Sequence, residues 1–263
     1  MNAVPMQRFK DQVVLVSGGL GAMGLAIARR LAREGASVAL GDRAAPSHDV
    51  MAGFDGLPAP LVIALDVTDA ASWQRCLAQV QDRLGPLDVL VNNAGVVTPQ
   101  AYAFDDIPAA EWRRVFGINV DGVFLGVQAG LKAMKAARRA GAIVNMGSIA
   151  GYVGSRDGGA YGASKAAVRN LTKQAALSAA RQNCGVRINA VHPGYVWTPL
   201  IEDKLLAQFG SREAALQAVR GMNPLGKIVE AEDVAAAVAF LASPEARMIT
   251  GADLVVDGGR LIQ

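Results

Sequence analysis

Short, almost uninterrupted apolar runs alternate with longer helical segments along this chain, and the alternation restricts its fold more than any other feature. The apolar runs are predicted strands at Val13–Val16, Val38–Leu40, Leu61–Leu65, Val89–Val91, Ile143–Asn145, Arg187–Val191 and Leu254–Val256. Continuous apolar runs of this length are typical of parallel strands that helices cover on both faces. The predicted helices are Ala22–Glu34, Ser72–Leu84, Glu111–Arg138, Tyr161–Gln182 and Ala231–Ala242. We therefore predict an α/β fold with a doubly wound, seven-stranded parallel sheet of the Rossmann type.

The composition favours one domain and excludes several other classes of protein. With 263 residues, 52% of them hydrophobic, the chain is predicted to form a single domain over residues 1–263. Its 26 basic and 23 acidic residues form no basic stripe, so we expect no nucleic-acid partner. The start of the chain has no apolar signal core and no run reaches about 18 apolar residues, which predicts a cytoplasmic protein without a membrane partner. Cys76, Cys184, His48 and His192 lack metal-ligand spacing, so no metal site is expected.

A glycine-rich loop joins the first predicted strand to a helix that opens near Ala22. Glycines let a backbone turn tightly and approach a pyrophosphate, while a helix N-terminus supplies N–H groups and a positive dipole. A flexible turn without any ligand is the alternative, but the preceding strand and the following helix favour a dinucleotide site. The residues expected to contact the cofactor in this loop are Ser17, Gly18, Gly21, Met23 and Gly24.

Asp42 ends the second predicted strand, 24 residues after Gly18. A carboxylate about 20 residues after such a loop grips the adenosine ribose diol, and it would repel a 2′-phosphate. We therefore predict NAD as the cofactor. Arg43, the next residue, is also expected to contact the cofactor. Because an arginine can bind a 2′-phosphate, NADP stays the alternative cofactor. A plain surface charge at the strand end is the alternative for Asp42.

Tyr161 and Lys165 stand four residues apart in a predicted helix, so their side chains share one face. A lysine ammonium there stabilises tyrosinate and is expected to lower the phenol pKa from about 10, which makes Tyr161 a candidate general acid or base. Ser148, 13 residues before Tyr161, is placed to donate a hydrogen bond to a developing alkoxide. Such a tyrosine–lysine pair is common by chance, and it gains weight from the dinucleotide loop that precedes it.

Taken together, the motifs resemble those of the short-chain dehydrogenase/reductase family, almost from end to end. SGGLGAMG is similar to the family's cofactor loop, and NNAG at Asn92–Gly95 is similar to the motif that closes the fourth strand. The matching residues are Asp66 and Val67 beside the adenine, Asn93, Ala94 and Gly95 beside the cofactor, Asn119, Ser148, Tyr161 and Lys165 in the catalytic tetrad, and Pro193, Gly194, Val196 and Thr198 near the nicotinamide carboxamide.

The resemblance assigns further roles to three of these positions. Lys165 is expected to hold the nicotinamide ribose, so it and Tyr161 also count as cofactor-binding residues. Asn119 is expected to steady a water that links Lys165 to solvent, and the alternative is that it caps or kinks the long helix Glu111–Arg138. The family loop usually has glycine where this chain has Ala22, and the extra methyl is harmless if Ala22 already belongs to the helix.

The segment near residues 200–222 is expected to form a helical lid over the substrate, as in members of the family. Val153, Tyr195, Trp197 and Leu200 are predicted to line a largely apolar pocket, with Trp197 covering the core beside the cofactor as the alternative. Arg156 is either an anchor for an acidic substrate or a solvated loop charge.

The sequence around AALSAARQNCGVRINAVHPGYVWTPL is most similar to family members that act on hydroxysteroids and alicyclic alcohols. We therefore predict an oxidoreductase that transfers hydride between a nicotinamide cofactor and a bulky or cyclic secondary alcohol or ketone. The alternatives are an enzyme like the 3-oxoacyl reductases and a non-catalytic NAD-binding sensor.

Small residues on the helices Glu111–Arg138 and Tyr161–Gln182 permit close approach of a second chain. Family members pair these helices across a two-fold axis and commonly form tetramers, which predicts a homotetramer. Alanine selected for helix propensity alone is the alternative.

Overall fold

Seven parallel strands form one sheet in the order β3-β2-β1-β4-β5-β6-β7. The computed structural model describes residues 7–46, 52–99, 102–154 and 159–263, and for residues 199–201, 203 and 204 it describes the backbone alone. The strands are β1 Val13–Ser17, β2 Ser37–Asp42, β3 Leu61–Ala64, β4 Leu87–Asn92, β5 Ala142–Met146, β6 Arg187–Pro193 and β7 Asp253–Val256. The predicted doubly wound, Rossmann-type fold is therefore confirmed.

Eight labelled helices surround the sheet in the part of the chain that is described. They are α1 Ala22–Arg33, α2 Ala70–Arg83, α3 Ala109–Phe116, α4 Gly122–Ala136, α5 Gly159–Arg181, α6 Pro199–Phe209, α7 Arg212–Met222 and α8 Ala231–Ala242. None of the helices described is long and apolar enough to cross a membrane.

Alternate residues of the central strands supply two separate cores. Val14 and Val16 of β1 belong to a cluster beneath α1 and α8, whereas Val13 and Leu15 belong to a cluster beneath α2, α4 and α5. This division follows from the strand period of two, which sends successive side chains to opposite faces of the sheet. All five residues of β1 are buried, which explains its continuous apolar sequence.

The long helix predicted over Glu111–Arg138 is interrupted, which the helical pattern did not predict. A π-helical turn, Gly117–Asp121, joins α3 to α4 and contains the buried Asn119. A π-turn adds a residue to the helical repeat and shifts the face on which later side chains lie, and such turns frequently mark functional sites.

Two helices, α6 and α7, form the segment predicted as a lid. Gly210 ends α6 in the left-handed region at φ 78°, and the Ser211 hydroxyl caps α7 by accepting from the Ala214 N–H at 3.2 Å. Glycine adopts this φ without steric cost, so the chain reverses between the helices. The lid core, which we define as Leu205, Ala215 and Val219, is separate from both sheet cores.

The strand order reverses direction between β1 and β4, which pair with each other along their length. β1 ends at Ser17 and β4 ends at Asn92, side by side in the register of the sheet. The loops that follow these two ends run to opposite sides, so a crevice opens at the carboxyl edge, where α/β sheets bind their ligands.

Candidate active site

A groove of about 530 Å³ opens at the crevice between β1 and β4. Its lining includes most of the residues predicted to contact a dinucleotide: Gly18, Gly21, Met23, Gly24, Asp42, Arg43, Asp66, Val67, Asn93, Ala94, Gly95 and Thr198. The motifs that are far apart in the sequence therefore meet along one surface.

Two glycines of the loop occupy positions where a side chain does not fit. Gly18 has φ +60°, and a Cβ there would lie 2.7 Å from the Ala94 Cα. A Cβ on Gly24 would lie 2.3 Å from the Gly18 carbonyl oxygen. Gly21 differs, because it is the N-cap of α1 in extended backbone, and a Cβ there would lie 3.5 Å from its nearest neighbour, the Gly18 carbonyl oxygen.

Ala22 is the first residue of α1, which settles the departure from the family loop. It has no positive φ, so its methyl group is tolerated where the family usually has glycine. The first turn of α1 points its N–H groups toward the groove, and it has no acidic residue to oppose an anion there.

Ser17 does not line the groove, although it was predicted to contact the cofactor. Its side chain is 1% exposed, and its hydroxyl accepts from the main-chain N–H groups of Asn93 and Ala94 at 3.1 and 3.3 Å. The Asn93 side-chain amide in turn donates to the Ser17 and Gly18 carbonyl oxygens at 3.1 and 2.9 Å. Ser17 therefore ties the ends of β1 and β4 together beneath the loop.

At one end of the groove, hydrogen bonds fix the Asp42 carboxylate, and the cationic Arg43 is the next residue in the chain. Asp42 accepts from the Leu20 N–H at 3.0 Å and from the Ala44 N–H at 3.1 Å, which holds the carboxylate against the glycine loop. Asp66 accepts from the hydroxyl and the N–H of Thr68, and these bonds, with the charge of Arg43, lower its pKa. Arg43 itself is exposed at the groove edge, facing two carboxylates.

A second cavity, of about 680 Å³, continues from the groove across shared walls. Ser148, Tyr161 and Lys165 all line it, as do Pro193, Gly194 and Val196 of the segment after β6. The shared wall consists of Met23, Asn93, Gly95, Val96 and Thr198. The structure thus brings the predicted proton-transfer residues to the inner end of the predicted dinucleotide groove.

The pKa of Tyr161 shifts in the direction opposite to the sequence prediction. Burial of the phenol raises the pKa above its usual 10, and this effect exceeds the opposing effect of a hydrogen bond with Ser148. Lys165 does not bond the phenol oxygen, and its ammonium lies 5.6 Å from the centre of the tyrosine ring. The low-dielectric surroundings therefore favour the neutral phenol in the protein alone.

Lys165 is held by the end of β5. Its ammonium donates to the Met146 carbonyl oxygen at 2.8 Å, and the side chain is buried. Burial lowers the pKa of Lys165 to about 8. At neutral pH most of the Lys165 ammonium is therefore still charged, and the charge is lost as the pH rises through about 8.

Asn119 is fully buried and does not line the cavity. Its side chain accepts from the Val96 N–H at 2.8 Å and donates to the Val96 carbonyl oxygen at 2.9 Å, and its amide also contacts the Ser164 hydroxyl at 3.0 Å. These bonds, made from the π-turn, hold the NNAG segment against α5. The structure therefore gives Asn119 the helix-distorting position that the sequence left as its alternative.

A buried network that the sequence analysis missed supports Ser148 from behind. The two ring nitrogens of His192 lie 3.3 Å from the Ser148 carbonyl oxygen and 3.1 Å from Asp253 Oδ1. Arg169 and Lys173 donate to the other oxygen of Asp253. Burial lowers the pKa of His192, although Asp253 opposes that shift. The only sequence signal was a histidine directly before Pro193, and a lone apolar-strand histidine predicts nothing specific.

Close packing explains why Gly147, before Ser148, has no side chain. A Cβ at this position would lie 2.2 Å from His192 Nδ1. The ring of Tyr152 stands edge-on to that of His192, with centres 5.1 Å apart. Ser148 itself begins a 3₁₀ turn, and its hydroxyl accepts from the Ala150 N–H at 3.2 Å. Strand β5 therefore delivers Ser148 to the cavity with both its backbone and its side chain fixed.

The predicted pocket residues separate into two groups. Val153 and Tyr195 line the cavity and are exposed, and the exposed Gln208 and the buried Leu205 of helix α6 also line it. Trp197 does not line it, because its ring packs against the lid core, with the Arg212 guanidinium 5.6 Å from the ring centre. Arg156 and the side chain of Leu200 lie outside the described residues.

Arg260 and Gln263, from the segment after β7, also line the cavity. Both donate to the Met222 carbonyl oxygen at the end of α7, at 3.3 and 2.7 Å. The sequence analysis did not assign them to the site. They come from a region without a motif, and only the parallel order of β5, β6 and β7 brings them to the same edge as Ser148.

Known proteins resemble the chain over almost its whole length. A family model described as "Enoyl-(Acyl carrier protein) reductase" matches residues 19–260. The NADP-dependent (R)-specific alcohol dehydrogenase of Lentilactobacillus kefiri is 39% identical over 97% of this chain and 99% of that protein. The trans-4-hydroxycyclohexanecarboxylate dehydrogenase of Sinomonas cyclohexanicum is 39% identical over 96% of this chain and 93% of that protein. The crystal structure of levodione reductase is 35% identical, with a TM-score of 0.87 over 96% of this chain and 98% of that one.

Proposed function

The chain belongs to the short-chain dehydrogenase/reductase family, and we propose that it oxidises a bulky or cyclic secondary alcohol, or reduces the ketone, with NAD as the cofactor. The observation that carries this proposal is the meeting of Ser148, Tyr161 and Lys165 in one cavity that opens into the dinucleotide groove. A hydride acceptor at the inner end of the groove would lie beside the group that takes the proton.

The residues of the groove fit a dinucleotide. Gly18 and Gly24 let the loop pack closely against Ala94 and against its own turn, so that the loop backbone lines the groove, and the N-terminus of α1 supplies donors and positive dipole. Asp42 would hold the adenosine ribose, and Lys165 the nicotinamide ribose. When bound, the nicotinamide supplies the hydride chemistry that no side chain offers.

The side chains of the cavity divide the remaining work between them. For oxidation, the substrate hydroxyl would donate to Tyr161 and accept from Ser148, and Tyr161 would take its proton as the alcohol becomes a ketone. The Lys165 charge, 5.6 Å from the tyrosine ring, stabilises the tyrosinate that begins this step. For reduction, neutral Tyr161 returns the proton to the forming alkoxide, which the Ser148 hydroxyl stabilises.

Asn119 then acts as a positioning residue, and the water-linked relay to Lys165 remains our proposal for its second role. Its bonds to Val96 keep Gly95 close to the ammonium, since a Cβ on Gly95 would lie 3.5 Å from Lys165 Nζ. The Asn119 amide thus fixes the main chain beside Lys165, where a bound water would link the ammonium to solvent.

A cyclic substrate agrees with the shape and lining of the cavity. The walls from Val153, Tyr195 and Leu205 are apolar, and the volume of about 680 Å³ lies in the usual range for small-molecule sites. The relative from Sinomonas cyclohexanicum is named for a hydroxycyclohexane substrate. The helices α6 and α7, with their own core, form the lid near residues 200–222. The lid and the rest of the chain form a single domain over residues 1–263.

NAD is proposed over NADP because Asp42 presents a fixed negative charge in the groove. A 2′-phosphate would meet that charge, whereas a ribose diol would donate to it. Arg43 faces the same groove, and the relative from Lentilactobacillus kefiri is named as NADP-dependent. The charge of Arg43 also acts on Asp66, whose pKa it helps to lower, so a 2′-phosphate would compete with this carboxylate for the guanidinium.

We propose a homotetramer located in the cytoplasm. Phe124 on α4 and Leu177 on α5 are about half exposed, and Met248 before β7 is 87% exposed, which leaves apolar surface on two sides of the chain. Cys76 and Cys184 are both free thiols, in agreement with a reducing compartment. Light scattering after gel filtration tests the assembly, and a mass near the 27.3 kDa of one chain would contradict it.

Absorbance of NADH during incubation with a panel of cyclohexanols, cyclopentanol and hydroxysteroids tests the proposed function. We expect turnover of at least one cyclic alcohol, and slower turnover of a 3-hydroxyacyl thioester. The description of the matching family model keeps an acyl reductase as the second candidate, and faster thioester turnover would favour it. Tight NAD binding without turnover of any alcohol would instead indicate a sensor.

A further inference from the structure

We infer that the substrate carries a carboxylate and that Arg260 binds it. This inference rests on the proposed function and adds a second anchor point at the end of the substrate away from the reacting hydroxyl. Three observations support it: the charges of the side chains that line the cavity, the hydrogen-bond partners of Arg260, and the position of the turn that contains Arg260, directly after β7.

The described lining of the cavity contains two cationic side chains, Lys165 and Arg260, and no Asp or Glu. The Lys165 ammonium is buried, donates to the Met146 carbonyl oxygen and serves Tyr161. Arg260 is therefore the cation that remains for the substrate. An arginine fork in a largely apolar cavity is suited to a planar anion, because it can donate two parallel hydrogen bonds to a carboxylate.

No acidic side chain of the described chain neutralises Arg260. Among the described residues, its guanidinium makes one hydrogen bond, from Nη1 to the Met222 carbonyl oxygen at 3.3 Å, which uses one of its five N–H donors. Asp257, the acidic residue nearest in sequence, already accepts from the Gly259 and Leu261 N–H groups at 2.8 Å each. Arg260 thus lines the cavity, and most of its guanidinium donors have no partner in the described chain.

Four other arginines of the described chain show how a guanidinium can be compensated within the protein. Arg8, Arg114 and Arg169 each have a carboxylate within 3.1 Å. Arg187, which has none, donates instead to three main-chain carbonyl oxygens. Arg260 is half-buried at a ligand cavity with neither form of compensation, and a bound carboxylate would supply it.

The fold places Arg260 at a suitable distance from the reacting group. Its 3₁₀ turn, Arg260–Ile262, follows β7, while Ser148 follows β5, and β6 lies between these strands. Neighbouring strands are about 4.8 Å apart, so the two strands are separated by roughly 10 Å. A single ring with a hydroxyl at one end and a carboxylate at the other can bridge this span together with the arginine side chain.

The anionic groups of the dinucleotide are not the expected partner. The glycine loop, which would hold the pyrophosphate, and Asp42, at the ribose, line the groove on the other side of the shared wall. Arg260 lines the substrate cavity and does not line that groove. The anion that it meets therefore belongs to the substrate.

Matched substrates test the inference directly. Turnover of 4-hydroxycyclohexanecarboxylate is compared with that of 4-hydroxycyclohexanecarboxamide, which has the same shape without the charge, in wild type, Arg260→Met and the control Arg83→Met. Arg83 is exposed at the end of α2, away from both cavities, so its loss changes net charge alone. We expect wild type to prefer the carboxylate by at least about tenfold in kcat/KM, mainly through KM.

Arg260→Met should abolish this preference while turnover of the amide stays within about twofold, and Arg83→Met should change neither. Equal loss on both substrates would assign Arg260 only to holding the lid through Met222, and would overturn the inference. A wild-type enzyme without the preference would do the same. Calorimetric binding of unreactive cyclohexanecarboxylate separates the two proposals: binding that depends on Arg260, without any alcohol turnover, would overturn the proposed function and support this inference.

Discussion

The dinucleotide groove and the substrate cavity share one wall but are built by different means. The groove is shaped by backbone: Gly18 and Gly24 have no space for a Cβ, and Asn93 bonds main-chain carbonyl oxygens. The cavity is shaped by side chains from β5, β6, the lid and the segment after β7. A ligand that is constant selects fixed backbone geometry, whereas a variable substrate is accommodated by exchangeable side chains.

The largest expected effect lies at the boundary of the two regions. Tyr161→Phe removes only the phenol oxygen, so turnover should fall by about 10² to 10⁴ while the Kd for NAD changes little. Lys165→Met should damage both quantities, because the ammonium serves tyrosine and cofactor together. Steady-state kinetics measures turnover, and fluorescence titration measures the Kd for NAD. A Tyr161→Phe enzyme with more than a few per cent of wild-type kcat would require another proton acceptor.

Gly24→Ala tests the dinucleotide groove, which is shaped by backbone. The new Cβ would lie 2.3 Å from the Gly18 carbonyl oxygen, a backbone atom that moves only if the loop moves. We expect the Kd for NAD to rise by at least about tenfold, with a loss of about 1–3 kcal/mol in the free energy of unfolding.

Gly21→Ala is the matched control, because its Cβ has ordinary contact distances and its backbone is extended. It should bind NAD within about twofold of wild type and lower the free energy of unfolding by roughly 0.5–1 kcal/mol, because glycine is preferred to alanine at an N-cap. If both variants bound NAD equally well, the groove would be as adaptable as the cavity, and the contrast between the two regions would disappear.

The same contrast decides what could be predicted from the sequence. The apolar runs predicted the sheet, and the glycine loop together with the family resemblance predicted most of the groove lining, because backbone constraints restrict residue type at each position. Ser17 was an exception, since the motif does not reveal whether a hydroxyl faces the ligand or the neighbouring strand. The pKa of Tyr161 was wrong in direction, because spacing shows the nearby charge and not the burial that outweighs it.

On the substrate side, residues without a motif were missed. Arg260 lies 95 positions after Lys165, and only the order of the strands brings them to one cavity. Trp197 was predicted as pocket lining because it follows the strand end, yet its ring packs against the lid core. His192 and Asp253 form a pair across β6 and β7 that only strand register reveals.

The dependence of rate on pH should differ between the two reaction directions. Reduction needs neutral Tyr161 and charged Lys165, so its rate is present at neutral pH and falls as pH rises through the Lys165 pKa of about 8. Oxidation needs Tyr161 as a base, and the raised pKa of the phenol makes this rate rise with pH, by up to about tenfold per unit. The rise should level off as Lys165, whose charge stabilises the tyrosinate, is neutralised above its pKa of about 8. Profiles of kcat/KM in both directions measure this, and flat profiles from neutral to alkaline pH would contradict the assignment.

Asp42→Ala should reduce the preference for NAD over NADP by about tenfold or less, because the negative charge is lost from the groove. The variant also removes the acceptor for the Leu20 and Ala44 N–H groups, so Asp42→Asn serves as a control that keeps one acceptor oxygen. Ratios of kcat/KM for the two cofactors measure the change. A wild-type enzyme that prefers NADP by tenfold or more would show that Arg43 dominates this end of the groove.

The smallest expected effect is in the lid. Trp197 packs against Leu205 and its neighbours in a core that is separate from both sheet cores, so Trp197→Leu should loosen the lid without disturbing the groove. We expect KM for the alcohol to rise by roughly two- to fivefold, with the Kd for NAD unchanged, because the lid walls only the substrate cavity. Leu205 links the lid core to the substrate cavity, because it belongs to the lid core and also lines the cavity. Looser packing around Trp197 would therefore reach the substrate through Leu205. A rise in the NAD Kd equal to the rise in KM would show that the two regions are coupled through their shared wall, and that lid closure helps to hold the cofactor.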